Sequence, residues 1–130
     1  MPGDKNAALS PHFPGRAPID AYGNGGFRFA DMSHRGALIF CASGVYAATT
    51  TSPDAIALEA LARLQAEPEF QTVLLLGTGS QQVFPSPATR KAFADAGIGL
   101  EAMDTGAAAR TYNVLLAEKR PVAAALIAVE

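Results

Sequence analysis

Val73-Leu74-Leu75-Leu76-Gly77-Thr78-Gly79 opens with four apolar residues in succession and so leaves no polar face. A segment of this kind must be covered on both sides, which is how a central strand of a parallel sheet reads. Gly77-Thr78-Gly79 stands where that strand ends. In open α/β sheets, ligands gather just beyond the carboxyl ends of the strands. This stretch therefore sets both the fold class and the first place to look for a site.

The pattern downstream is regular. Ser52, Pro53 and Asp54 supply an N-cap, a first helical residue and a negative charge at the helix start. Ile56, Leu61 and Leu64 follow at helical spacing with Leu58 off the stripe, and the helix is expected to end near Glu67-Pro68. After the central strand and a loop over 80–85, Ser86-Pro87 starts a second helix that Gly97 closes. Residues 98–103 form a strand. Asp104 or Thr105 caps a third helix to about Lys119, with its apolar stripe at Ala108, Tyr112, Leu115 and Leu116. Residues 122–129 form a last apolar strand. Right-handed crossovers place the strands at 72–76, 98–103 and 122–129 in one parallel sheet.

Upstream, Ile19 to Tyr22 and Phe27 to Phe29 alternate around Gly23-Asn24-Gly25-Gly26, the signature of two short strands and a glycine turn. Asp31 to His34 reads as a polar break. Ala37 to Ala42 and Val45 to Ala48 read as two further strands. These turns are too short for parallel crossovers, so the front third is an antiparallel meander. The expected fold is α/β: one domain over 19–130, with an antiparallel layer, a parallel layer and a layer of three helices. Residues 1–18, with four prolines, are expected to be a flexible tail containing His12.

Composition narrows the function. The 130 residues are 49% hydrophobic with a net charge of −2, which gives no general attraction to nucleic acid or anionic membrane. No run approaches the roughly 18 apolar residues of a membrane span, and the N-terminus has neither a signal nor a transit pattern. A single cysteine, Cys41, forms no intrachain disulfide and points to a reducing, cytoplasmic setting. No cofactor and no metal is expected, because no His-x-x-x-His or Glu-x-x-His pairing is present.

The candidate site residues carry two readings each. Gly77, Thr78 and Gly79 suit a backbone cradle for an anion. A dinucleotide fingerprint needs a third glycine where Gln82 stands, so a close-packed strand-end turn is the ordinary reading. Asp104 and Thr105 plainly serve as N-caps. An Asp-Thr-Gly of the aspartic protease kind needs a second carboxylate sharing the proton, and an all-β frame. Arg110 and Asn113 share one helix side opposite the apolar stripe, either lining a groove or solvating the helix. His34 is the one acid–base candidate in the body of the chain, and no Gly-x-Ser-x-Gly nucleophile accompanies it.

Several segments also resemble a known family. They are Tyr22-Gly23-x-Gly25-Gly26-Phe27-Arg28, Leu75 to Gly79, Gly97 to Glu101, Met103 to Ala108, Arg110 to Leu115, and Val122 to Ile127. In this order they resemble a small family of bacterial and archaeal proteins that includes the mitochondrial respiratory complex I assembly factor three. The resemblance implies a three-layer β/β/α fold, no assigned enzymatic activity, and a role in binding other proteins during complex assembly. Bacterial relatives often carry a cysteine just before the Arg-Thr-Tyr-Asn segment, where this chain has Ala109. The sequence thus predicts a non-enzymatic interaction or assembly factor with protein partners. The alternatives are an anionic-ligand site or enzyme at the strand ends, and a homo-oligomer that pairs through its own apolar surface.

Overall fold

The computed structural model describes residues 13–130. His12 lies outside them. Nine strands and three helices follow one another among the described residues: β1 (Phe13–Pro14), β2 (Ala21–Gly23), β3 (Gly26–Phe29), β4 (Met32–Arg35), β5 (Leu38–Cys41), β6 (Gly44–Ala47), α1 (Pro53–Gln65), β7 (Val73–Gly77), α2 (Pro87–Ala96), β8 (Gly99–Met103), α3 (Thr105–Ala117) and β9 (Val122–Leu126).

The strands form two sheets. One has six strands in the order β1-β6-β5-β9-β7-β8, and the other is the meander β2-β3-β4. β7 is central to the parallel part. It pairs in parallel with β9 from Val73↔Val122 to Gly77↔Leu126, and with β8 from Val73↔Gly99 to Gly77↔Met103. The expected three-layer α/β fold is present, with two refinements. The β5–β6 hairpin does not stay in the outer layer. β5 adds antiparallel to β9 and β6 to β5, so the central sheet is mixed.

The second refinement concerns the helices, which do not share one layer. β6 runs parallel to β7, and the steps β6→α1→β7 and β7→α2→β8 cross the sheet in the same sense. The step β8→α3→β9 passes back over β7. Right-handed crossovers therefore place α1 and α2 on one face and α3 on the other. The core divides accordingly. Leu74, Leu76, Ala123 and Ala125 pack with Ile56, Leu61, Leu64 and Phe93 from α1 and α2. Leu75, Val122, Ala124 and Leu126 pack with Ala108, Ala109 and Tyr112 from α3 and with Phe27 and Phe29 from the meander. Leu58, off the apolar stripe, is exposed.

The meander is held by two tight hairpins. Their central pairs, Asn24-Gly25 and Ala30-Asp31, all have positive φ, the geometry that matches strand twist in two-residue turns. The residues expected as a polar break are thus a turn followed by β4. Met32 and His34 are half-buried while Ser33 and Arg35 face solvent. Alternation with a polar outer face conceals such a strand, because too little of it is apolar. The fold also begins before residue 19. β1 pairs with β6, the Gly15 N–H donates to the Ser43 carbonyl, and Ala17 is buried.

Polar groups fix the ends of the layers. The Ser43 N–H and hydroxyl both donate to the Glu67 carboxylate, at 2.8 and 2.5 Å, which ties the β5–β6 turn to the end of α1. Cys41 lies beneath, and burial pushes its thiol up to about 11. It is therefore an inert core thiol at neutral pH. At the other end, Asp54 Oδ1 accepts from the Ser86 N–H and the Thr89 hydroxyl, both at 2.8 Å. These bonds join the starts of α1 and α2, and they hold the Asp54 carboxyl below its ordinary value of 3.8. A depressed folded pKa means that this stabilisation is present above the unfolded value and lost as pH falls through the folded one. The stability difference between wild type and Asp54→Asn, followed by urea denaturation, is expected to narrow as pH drops below about 4. A difference independent of pH in that range would contradict the assignment.

Candidate functional site

The connections from β7 and β8 leave toward opposite faces of the sheet, so a topological switch point lies at their carboxyl ends. Gly77, Thr78 and Gly79 meet Asp104 and Thr105 there. The meeting is close. A Cβ on Gly77 would stand 2.8 Å from Leu126 Cδ2 and 3.1 Å from Thr105 Cα. Gly79 has φ +102°, which L side chains rarely adopt.

Thr105 is fully buried, and its hydroxyl does two jobs. It accepts from the Gly79 N–H at 2.9 Å and donates to the Ile127 carbonyl at 2.7 Å. The Thr105 N–H returns a bond to the Gly79 carbonyl at 2.8 Å. The Thr78 N–H donates to the Met103 carbonyl, and the Thr78 hydroxyl donates to the Gln81 carbonyl while accepting from the Val83 N–H. Asp104 caps α3, with Oδ1 accepting from the Ala107 N–H at 2.9 Å. The N–H groups of Thr78, Gly79 and Thr105 are thus satisfied inside the protein. What the sequence offered as an anion cradle is built as a clamp joining β7, β8, β9 and α3.

Above the clamp lies an open concavity of about 490 Å³, lined by Tyr22, Ser80, Asp104, Gly106 and Glu130 among others. Two of these carry carboxylates. Arg110 is exposed at its side, with Nη1 3.4 Å from the Tyr22 hydroxyl. Asn113 and Arg110 do line a groove together, a concavity of about 360 Å³ between α3 and the segment entering β2, and Asn113 is also a structural tie there. Its amide grips the backbone of Ile19 twice, accepting from the N–H and donating to the carbonyl, each at 2.8 Å. It holds the segment before β2 onto α3 as a neighbouring strand would. His34 lies on β4, cross-strand from Phe27 and away from the clamp. It lines a second concavity of about 370 Å³ with Arg28, Arg35 and Ser33. The structure therefore gathers Gly77, Thr78, Gly79, Asp104 and Thr105 in one place, sets Arg110 on its edge, puts Asn113 with Arg110 in the adjoining groove, and leaves His34 elsewhere.

Two surface features escaped the sequence reading. Val83 and Phe84 are exposed, Phe84 to 70%, on the loop after the clamp. The signal was an apolar pair inside a polar loop, with no periodic partner. Arg28 and Arg35 share the outer face of the meander, which follows from alternation once β4 is recognised as a strand. Among the described residues, no group of three or more His, Cys, Asp or Glu is placed to hold a metal ion.

The clamp generates a direct test. Thr105→Val preserves shape but leaves the Gly79 N–H and the Ile127 carbonyl without their partner, which is expected to cost about 2 kcal/mol or more. Thr105→Ser keeps the hydroxyl and should lose about half as much or less. Chemical denaturation of both variants measures this, and a valine variant as stable as wild type would contradict the clamp.

Known proteins align with this architecture. The family model of a protein of unknown function, DUF498/DUF598, matches residues 19–127. An uncharacterised protein of Rhodobacter capsulatus is 37% identical over 121 residues, which cover 93% of this chain and 92% of that one. A solved structure from Bartonella henselae, described as an outer membrane protein, is 50% identical with a TM-score of 0.82, over 92% of this chain and all of that one. An NMR structure from Rhodopseudomonas palustris is 41% identical with a TM-score of 0.77, over 93% of this chain and 89% of that one. No helix among the described residues is long and apolar enough to cross a membrane. The match over nearly the whole folded part makes this chain a member of the DUF498/DUF598 family.

Proposed function

We propose that this chain is a non-enzymatic interaction factor that serves the assembly of a larger protein complex. The observation that carries the reading is Phe84. This side chain is 70% exposed, with Val83 beside it at 46%. The loop that presents them is pinned rather than loose. The Thr78 hydroxyl bonds both the Gln81 carbonyl and the Val83 N–H, and Gln82 Nε2 donates to the Ala102 carbonyl at 2.8 Å. An aromatic ring held outward on a fixed loop loses little entropy on binding, and a buried aromatic anchor carries much of the energy of an interface. The occupant is an apolar pocket on a partner protein. The family resemblance supplies the setting, assembly of a respiratory complex, and the lone buried Cys41 suits a reducing, cytoplasmic one.

A second reading keeps the sequence alternative, a small-molecule site or enzyme acting on an anionic ligand at the strand ends. The concavity at the switch point favours it. The carboxylates of Asp104 and Glu130 in its lining oppose an anion, so it ranks second.

A photoreactive residue in place of Phe84 tests the interaction reading in the native cell. The expected product is a crosslink to a defined other protein, lost when Val83→Ser is added. Phe84→Ser should weaken that complex at least about tenfold, as removal of an anchor does, and should leave the fold intact. Phe70→Ser, which alters a different exposed aromatic, should leave binding unchanged. Crosslinking only to a second copy, or binding indifferent to Phe84→Ser, would overturn the reading.

A further inference from the structure

We propose that the outer face of the meander is a binding site for the phosphate group of a small phosphorylated molecule, gripped by Arg28 and Arg35. The site is independent of the loop that carries Phe84.

The register defines it. Arg28 stands opposite Ala21 on β2 and Ser33 on β4, and Arg35 stands opposite Gly26, itself opposite Gly23. All six residues project from the same face, because they fall on alternate positions of paired strands. Four of them are Ala, Gly, Gly and Ser. The two guanidinium groups therefore rise from a floor almost free of side chains, and this produces the concavity of about 370 Å³. That volume lies within the range of small-molecule sites.

Charge gives the ligand class. Arg28 and Arg35 are diagonal neighbours on one sheet face, about 7–8 Å apart at the backbone. Neither faces an acidic residue across the strands. Among the described residues neither forms an ion pair, and the one hydrogen bond of the two guanidiniums is a long 3.4 Å contact from Arg35 Nη1 to the Asn24 carbonyl. At the Arg35 end, Arg35 Nη1 and Glu130 Oε2 stand 3.3 and 3.8 Å from where a Cβ on Gly25 would be, so this carboxylate competes with an anion for Arg35 without forming an ion pair. Two like charges side by side repel each other, and a doubly charged anion between them reverses the sign of the interaction. Phosphate presents several acceptor oxygens in the geometry that guanidinium forks match.

The fold explains the other residues of this segment. Gly23 and Gly25 have positive φ, and a Cβ on Gly26 would collide with the His34 carbonyl. Phe27 is core. Packing gives no reason for an arginine at 28, whose side chain is exposed.

Titration of the ¹⁵N-labelled full chain with inorganic pyrophosphate tests the site. Saturable shifts are expected at the amides of Gly26, Arg28, Ser33 and Arg35, with a Kd on the order of 1 mM or tighter. Arg28→Ala and Arg35→Ala should each weaken binding at least about tenfold. Arg28→Lys, which keeps the charge and loses the fork, should also weaken it. Arg90→Ala, at an exposed arginine of α2, should change nothing. Unchanged dispersion of the other amide signals verifies that each variant is folded. Three outcomes would overturn the proposal: no saturable shift, shifts centred on Gly79 and Gly106 instead, or binding that survives the double alanine variant. Tighter saturation by citrate at the same amides would overturn the assignment to phosphate.

Discussion

One hydroxyl, that of Thr105, sits where three strands and a helix converge. It links the backbone just after β7 to the backbone just after β9, and it belongs to the first residue of α3. The approach it spans is possible only because Gly77 has no side chain there. Buried backbone groups need partners. At the carboxyl ends of parallel strands those partners are scarce, since each chain is turning away to its own helix. The clamp supplies them. Because the connections after β7 and β8 leave toward opposite faces, the same few atoms also hold the two halves of the core in register.

This constraint redirects the search for function. Switch points in open sheets bind ligands because loops there diverge and leave backbone donors free. Here the loops diverge, but the donors of Thr78, Gly79 and Thr105 are turned inward. The concavity left above them is flanked by carboxylates. Chemistry that needs an anion cradle is poorly served at this spot. The two surfaces we propose for other molecules lie to either side. One is the ring of Phe84, on a loop that the clamp itself makes rigid through the Thr78 hydroxyl. The other is the arginine pair on the outer sheet, which the clamp does not touch.

The sequence made the fold legible wherever burial was two-sided or capping was local. Leu74, Leu75 and Leu76 announced a central strand, and Ser52, Ser86 and Asp104 each cap the helix expected to follow them. It was less legible where a strand has one solvated face. Met32 to Arg35 is half polar, and its turn uses Ala30 and Asp31 in place of a glycine pair, so the third strand of the meander was hidden. The split of the helices between faces depends on strand order, which periodicity does not carry. The site was legible only as a place. Gly77-Thr78-Gly79 and Asp104-Thr105 do meet, yet whether their N–H groups face outward or inward is a three-dimensional fact. Asn113 shows the same limit, since its partner, Ile19, lies 94 positions away.

The central claim is that the strand ends form a closed structural clamp, and amide hydrogen exchange at single-residue resolution tests it most directly. If the Gly79 and Thr105 N–H groups are locked into the mutual bonds described, they exchange only with global unfolding and rank with the core amides of β7 and β9. Exchange at both positions through local opening, at rates typical of a solvent-exposed loop, would show that these donors are available to a ligand and would contradict the account.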